Sequence, residues 1–75
     1  MEYTILIHQA EEGGFWSEVP ALPGCYSQGE TIDETLQNTK EAIESHLIAL
    51  KEDLVAAPIE GSLFIGKVRV EVPGL

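Results

Sequence analysis

Few residues in this chain could do chemistry, and their spacing does not assemble them. There is one cysteine, Cys25, two histidines, His8 and His46, and 13 acidic residues against 4 basic ones. Cys25 would need a base or a positive environment to act as a nucleophile, and nothing near it in sequence supplies one. It reads as a small buried apolar residue. His8 and His46 lack an acidic orienter at a recognisable spacing and read as surface or half-buried side chains. His8, Cys25 and His46 show no CxxC or HxxxH spacing, so no metal site is expected. Gly13-Gly14 lacks the GxGxxG or GxxxxGK[ST] spacing of a phosphate loop. Paired carboxylates are the remaining route, and two-metal chemistry needs them aimed at one point in mid-sheet. The first strand offers none between Tyr3 and His8, Glu18 is a lone acid on the second, and Asp33, Glu34, Glu41 and Glu44 fall on a helix exterior. The expectation is no catalytic residue, no cofactor and no metal: a binder and not an enzyme.

The elements that would position these residues follow from the apolar pattern. Glu2–His8 is rich in β-branched and aromatic residues and predicts a strand, with Tyr3, Ile5 and Ile7 on one face and Thr4, Leu6 and His8 on the other. Gly13-Gly14 predicts a hairpin connection, and Phe15–Val19 a second strand. Pro20 and Pro23 cannot donate to a ladder, so Pro20–Gly24 is a rigid connection or strand edge. Cys25–Gln28 is a third short strand, ended by Gly29. Thr31 with Glu34 forms a capping box, and Asp33 and Glu34 suit the first turn of a helix. Ile32, Leu36, Ile43, Leu47, Leu50 and Leu54 recur at helical spacing, which predicts a helix over Ile32–Asp53 with that stripe against the sheet. Lys67–Val72 alternates cleanly, with Val68, Val70 and Val72 on one side and Lys67, Arg69 and Glu71 on the other. The expected fold is α+β, in the order β-β-β-α-β: an antiparallel meander, one long helix over one face, and a last strand parallel to the first and beside it.

Length allows a single domain, residues 1–75, with a small core. One cysteine excludes an internal disulfide, so packing and self-association must supply stability, and a homodimer or homotetramer is expected. The net charge of -9 opposes direct binding of nucleic acid; by itself it fits a small domain kept soluble by acidity, and it also suits a basic protein partner. Met1-Glu2-Tyr3-Thr4 lacks a basic leader and no stretch reaches the length of a membrane span, so a cytoplasmic protein with no membrane contact is expected. One helix covers one face of the sheet; Leu6, Trp16, Glu18 and Tyr26 would occupy the other. Together with Arg69 they are the candidate interface.

One block is more specific. Val19-Pro20-Ala21-Leu22-Pro23-Gly24-Cys25-Tyr26-Ser27-Gln28-Gly29-Glu30-Thr31 runs into Glu34 and then Asn38-Thr39-Lys40-Glu41-Ala42-Ile43. With the Gly14-Phe15-Trp16 hairpin before it, this resembles the HicB-like antitoxin family, in its short UPF0150-type form, along essentially the whole chain. The resemblance makes Pro20, Pro23, Gly24, Cys25, Gly29 and Thr31 fold-defining positions. It implies a partial ribonuclease-H-like fold without nuclease acids. It also implies a role: such proteins neutralise a small basic mRNA-cleaving toxin of the HicA type by covering its catalytic surface, commonly as dimers or tetramers. Longer members carry a C-terminal operator-binding domain; here none is expected. The alternative is a stand-alone oligomeric structural or ligand-binding module that keeps the fold without a toxin.

Overall fold

A computed structural model describes residues 1–74. The architecture is α+β. Three strands, β1 (Leu6–Gln9), β2 (Phe15–Glu18) and β3 (Tyr26–Gly29), form an antiparallel meander in the order β1-β2-β3, and one helix, α1 (Ile32–Glu52), follows. Strand β2 is therefore the central strand, and β1, expected to have the last strand beside it, is an edge strand. Among the described residues no helix is long and apolar enough to cross a membrane.

The β2–β3 connection shows why its residues are what they are. Leu22 N–H donates to the Val19 carbonyl (2.9 Å) and Cys25 N–H to the Leu22 carbonyl (3.0 Å), so two tight turns follow one another. Pro20 and Pro23 occupy the second position of each, where a fixed φ is favourable. Gly24 follows Pro23 with φ +85°, the left-handed residue that a type II turn requires. The double turn drives Leu22 inward, where it is fully buried with Val19 and Cys25 at the centre of the core.

Helix α1 starts as the capping box demands. Glu34 N–H donates to Thr31 Oγ1 and Glu30 N–H to the Glu34 carboxylate, both at 3.0 Å. Its core-facing stripe differs from the expected one. Thr35 and Thr39 are fully buried, whereas Ile32, Leu36 and Leu54 are exposed; Ile43 and Leu47 do pack on the core. The reason is close approach. A Cβ at Gly29 would lie 2.7 Å from the Thr35 backbone nitrogen, so the first turns of α1 sit too near β3 for large side chains. Polar residues are tolerated there because they are paired. Thr35 and Thr39 hydroxyls donate to the carbonyls one turn back, and Ser17 Oγ lies 2.6 Å from Thr39 Oγ1. The Thr39 proton is committed to Thr35, so Ser17 is the donor to Thr39.

The helix ends at Glu52, with Asp53 as its cap. Leu54 adopts φ +59°; its N–H donates to the Lys51 carbonyl, and Val55 N–H to that of Leu50 (2.8 Å). This is a Schellman closure with leucine where glycine is usual.

The expected fourth strand, Lys67–Val72 beside the first, is not formed. Residues 55–74 carry no strand and are almost wholly exposed. The chain is instead fixed just upstream of it. Thr4 donates from its N–H and its hydroxyl to the two Glu60 carboxylate oxygens (2.6 and 2.8 Å), and Tyr3 donates to the Pro58 carbonyl (2.6 Å). With Glu60 fixed at Thr4, a strand continuing alongside β1 would bring residues 62–65 level with Leu6–Gln9, and 67–72 would overshoot.

Candidate functional site

The sheet has two unlike faces. Ser17 lies opposite Ile7 on one side and Ser27 on the other, and this row faces α1. The alternate rows face away. One is Leu6, Glu18 and Tyr26; the other is His8, Trp16 and Gln28. Of the predicted interface residues, the structure thus brings Leu6, Trp16, Glu18 and Tyr26 together on the open face. Arg69 is not among them: it sits on the exposed segment beyond the helix, outside the sheet, because the strand that would have carried it to the sheet is absent.

The open face is ordered by its own contacts. The His8 ring stacks on Trp16, with centroids 4.1 Å apart and planes 17° apart, and Tyr26 meets Trp16 at 6.5 Å in a tilted arrangement. His8 Nε2 lies 3.5 Å from Glu18 Oε2. Such aromatic pairs favour offset or tilted geometry, and here they hold wide apolar rings in the solvent. Trp16 is 37% and Tyr26 62% exposed. His8 was not singled out for this face from sequence, although strand alternation had put it with Leu6. What was missing was the hairpin register: a loop from Ala10 to Gly14 sets Gln9 against Phe15 and hence His8 against Trp16.

At the hairpin end of the sheet Trp16 also borders an open cleft of about 680 Å³, which runs round to the helix side and is lined there by Glu12, Phe15, Gln28, Glu30 and Glu34. Its carboxylates make it negative, and Asn38 Nδ2 pins the helix to β3 there by donating to the Gln28 carbonyl (2.8 Å). Cys25 lies on the opposite, buried side; burial pushes its thiol pKa up, which keeps it protonated and unreactive. Among the described residues no group of three or more His, Cys, Asp or Glu side chains is placed to hold a metal ion. The arrangement is suited to contact: aromatic anchors at the centre, carboxylates around them.

Residues 3–66 match the family model described as the HicB_like antitoxin of a bacterial toxin-antitoxin system. The chain belongs to the HicB-like antitoxin family. A UPF0150 protein of Archaeoglobus fulgidus is 39% identical over 72 residues, 96% of each chain. A UPF0150 protein of Thermoplasma acidophilum is 48% identical over 52 residues, covering 69% of this chain and 75% of the relative. Among solved structures, a chain of a HicA3 and HicB3 toxin-antitoxin complex is similar, with TM-score 0.68 and 30% identity over 80% of this chain and 69% of that one. The turn residues Pro20, Pro23 and Gly24, the close approach at Gly29 and the Thr31 cap all fall inside the family match. The segment 67–72 lies beyond its last residue.

Proposed function

We propose that this HicB-like chain is a cytoplasmic antitoxin that binds and neutralises a small basic HicA-type mRNA-cleaving toxin. It acts by protein contact and without catalysis. The observation that carries this reading is the open sheet face, where Trp16, stacked on His8 and flanked by Tyr26, Leu6 and Glu18, adjoins a carboxylate-lined cleft. Family membership and the likeness to a HicA3–HicB3 complex support a toxin as the partner. Charge supports it too. Residues 1–54 hold 11 of the 13 acidic residues and two of the four basic ones, so they carry the whole net charge of -9. That field attracts a basic surface, speeds encounter and repels phosphate backbones, so the toxin's protein surface and not RNA or DNA is the target. The chain acts as one domain and as a homo-oligomer.

The test is to find whether the adjacent reading frame encodes a small basic protein, and to co-express the chain with it, or with another HicA-type toxin, followed by pull-down. The wild-type chain is expected to relieve toxicity and to retain the partner. Trp16→Asp should lose both while its circular dichroism stays native, since Trp16 faces solvent and not the core. Retention of binding and rescue by that variant would remove the open face from the proposal.

A further inference from the structure

Among the described residues, three features lack partners. Strand β1 is an edge strand, so the side away from β2 has unpaired backbone groups. Helix α1 packs on β3 and β2, leaving the underside of β1 incompletely covered; Tyr3, Ile5 and Ile7 are only half-buried. Beside that edge runs a largely apolar cleft of about 260 Å³ lined by Met1, Tyr3, Ile5, Ile43 and Leu47, with Lys40 and Glu44 also in its wall. Finally, the C-terminal segment exposes a strand pattern to water: Val68 is 86%, Val70 75% and Val72 53% exposed.

We infer that Lys67–Val72 pairs with the free edge of β1 in a second copy of this chain, reciprocally, so that each copy completes the other's sheet. The valines would cover Ile7 and the cleft between α1 and the stretch leading into β1, and Lys67, Arg69 and Glu71 would face the open side. The inference deepens the self-association named above and does not depend on the toxin reading. Four observations favour a second copy as the occupant. Within one copy Glu60 is held at Thr4 and the segment beyond it forms no strand on its own β1. The segment projects: the radius of gyration is 15.6 Å and the longest dimension 54 Å, against a radius of about 11 Å for a compact chain of this length. The stretch from Glu60 to Lys67 reaches about 23 Å when extended, enough to leave one body for another. Residues 55–75 hold Glu60 and Glu71 against Lys67 and Arg69 and are neutral, so the docking segment itself adds no net charge to the body it meets, the like charge of the two bodies being held apart by the segment's length. A two-fold exchange of identical elements satisfies both edges at once and closes the assembly.

Sedimentation tests the assembly and cysteine pairing tests its wiring. The wild-type chain is expected to be dimeric or larger at micromolar concentration, and Val70→Asp to weaken it on the order of a hundredfold by placing a charge in the cleft. Val70 touches no core, so the variant should keep native circular dichroism. For the wiring, His8→Cys chains are mixed with Lys67→Cys, Arg69→Cys or Glu71→Cys chains under mild oxidation, with the wild type, whose Cys25 is buried, as control. One mixture should yield a covalent dimer of the two different chains. A monomeric wild type, or self-association unchanged in Val70→Asp, overturns the inference. So does cross-linking of Arg69→Cys to itself, which would mean segment-to-segment pairing. A His8→Cys/Arg69→Cys chain that closes on itself as a monomer, or mixtures that give no mixed dimer, would also overturn it.

Discussion

Replacing Thr39 by valine probes what holds the helix on the sheet. Valine has nearly the same shape, so packing against Ser17 and Thr35 is retained and only the hydroxyl is lost. That hydroxyl accepts from Ser17 and donates to the Thr35 carbonyl. The carbonyl keeps its helical N–H donor, but Ser17, fully buried on the central strand, is left with an unpaired hydroxyl. An orphaned buried polar group costs about 1–3 kcal/mol. For a domain of this size, about 2 kcal/mol lowers Tm by roughly 8–16 °C. Ser17→Ala should cost less, about 1 kcal/mol, because Thr39 keeps its bond to Thr35. The double variant Ser17→Ala/Thr39→Val removes both hydroxyls and should be no less stable than Thr39→Val alone, giving a coupling of about 1–2 kcal/mol. Urea unfolding followed by helix circular dichroism measures all four chains. Additive costs, with the double variant the least stable, would refute the assignment of this pair as a mutually dependent clamp.

Three further outcomes follow from the fold. Leu54→Gly should stabilise the chain by about 0.5–1 kcal/mol, since Leu54 is 94% exposed and held at φ +59°; a loss of stability in thermal unfolding would contradict the Schellman closure. Gly29→Ala should destabilise it by more than about 1 kcal/mol by pushing α1 off β3, because its Cβ would meet backbone; an unchanged Tm would count against the close approach. Cys25 should react with a thiol reagent at least about a hundredfold more slowly in the folded than in the urea-unfolded chain, since reaction waits on opening. The thiol pKa is raised on folding, so its contribution to stability is present below the unfolded pKa and is lost as pH rises through the folded value. A stability that rises over that alkaline window would give the sign as wrong.

The sequence was most legible where local chemistry is self-sufficient. The Thr31–Glu34 capping box, the Pro-turn-Pro-Gly connection and the strand alternation placing Leu6, Trp16 and Tyr26 away from the core each depend on neighbours a few residues apart. Legibility failed where distant segments decide. The stripe of Ile32 and Leu36 followed apolar periodicity, but the approach of α1 to β3 at Gly29 requires the small Thr35 and Thr39 there. Leu54 gives no glycine signal for the helix end. Val68, Val70 and Val72 do have strand chemistry, yet strand pairing is a property of two segments, and this one does not meet its own β1. Arg69 left the candidate site for the same reason. His8 joined it through a hairpin register that composition does not encode.

The central claim is that the open face of this chain captures a basic toxin. Calorimetric titration of the chain with a catalytically disabled HicA-type protein tests that most directly, at two salt concentrations. The account predicts saturable binding that weakens as salt rises, as screening of a -9 partner requires, and that falls at least about tenfold in Trp16→Asp. No heat of binding, or binding indifferent to both salt and Trp16, would contradict it.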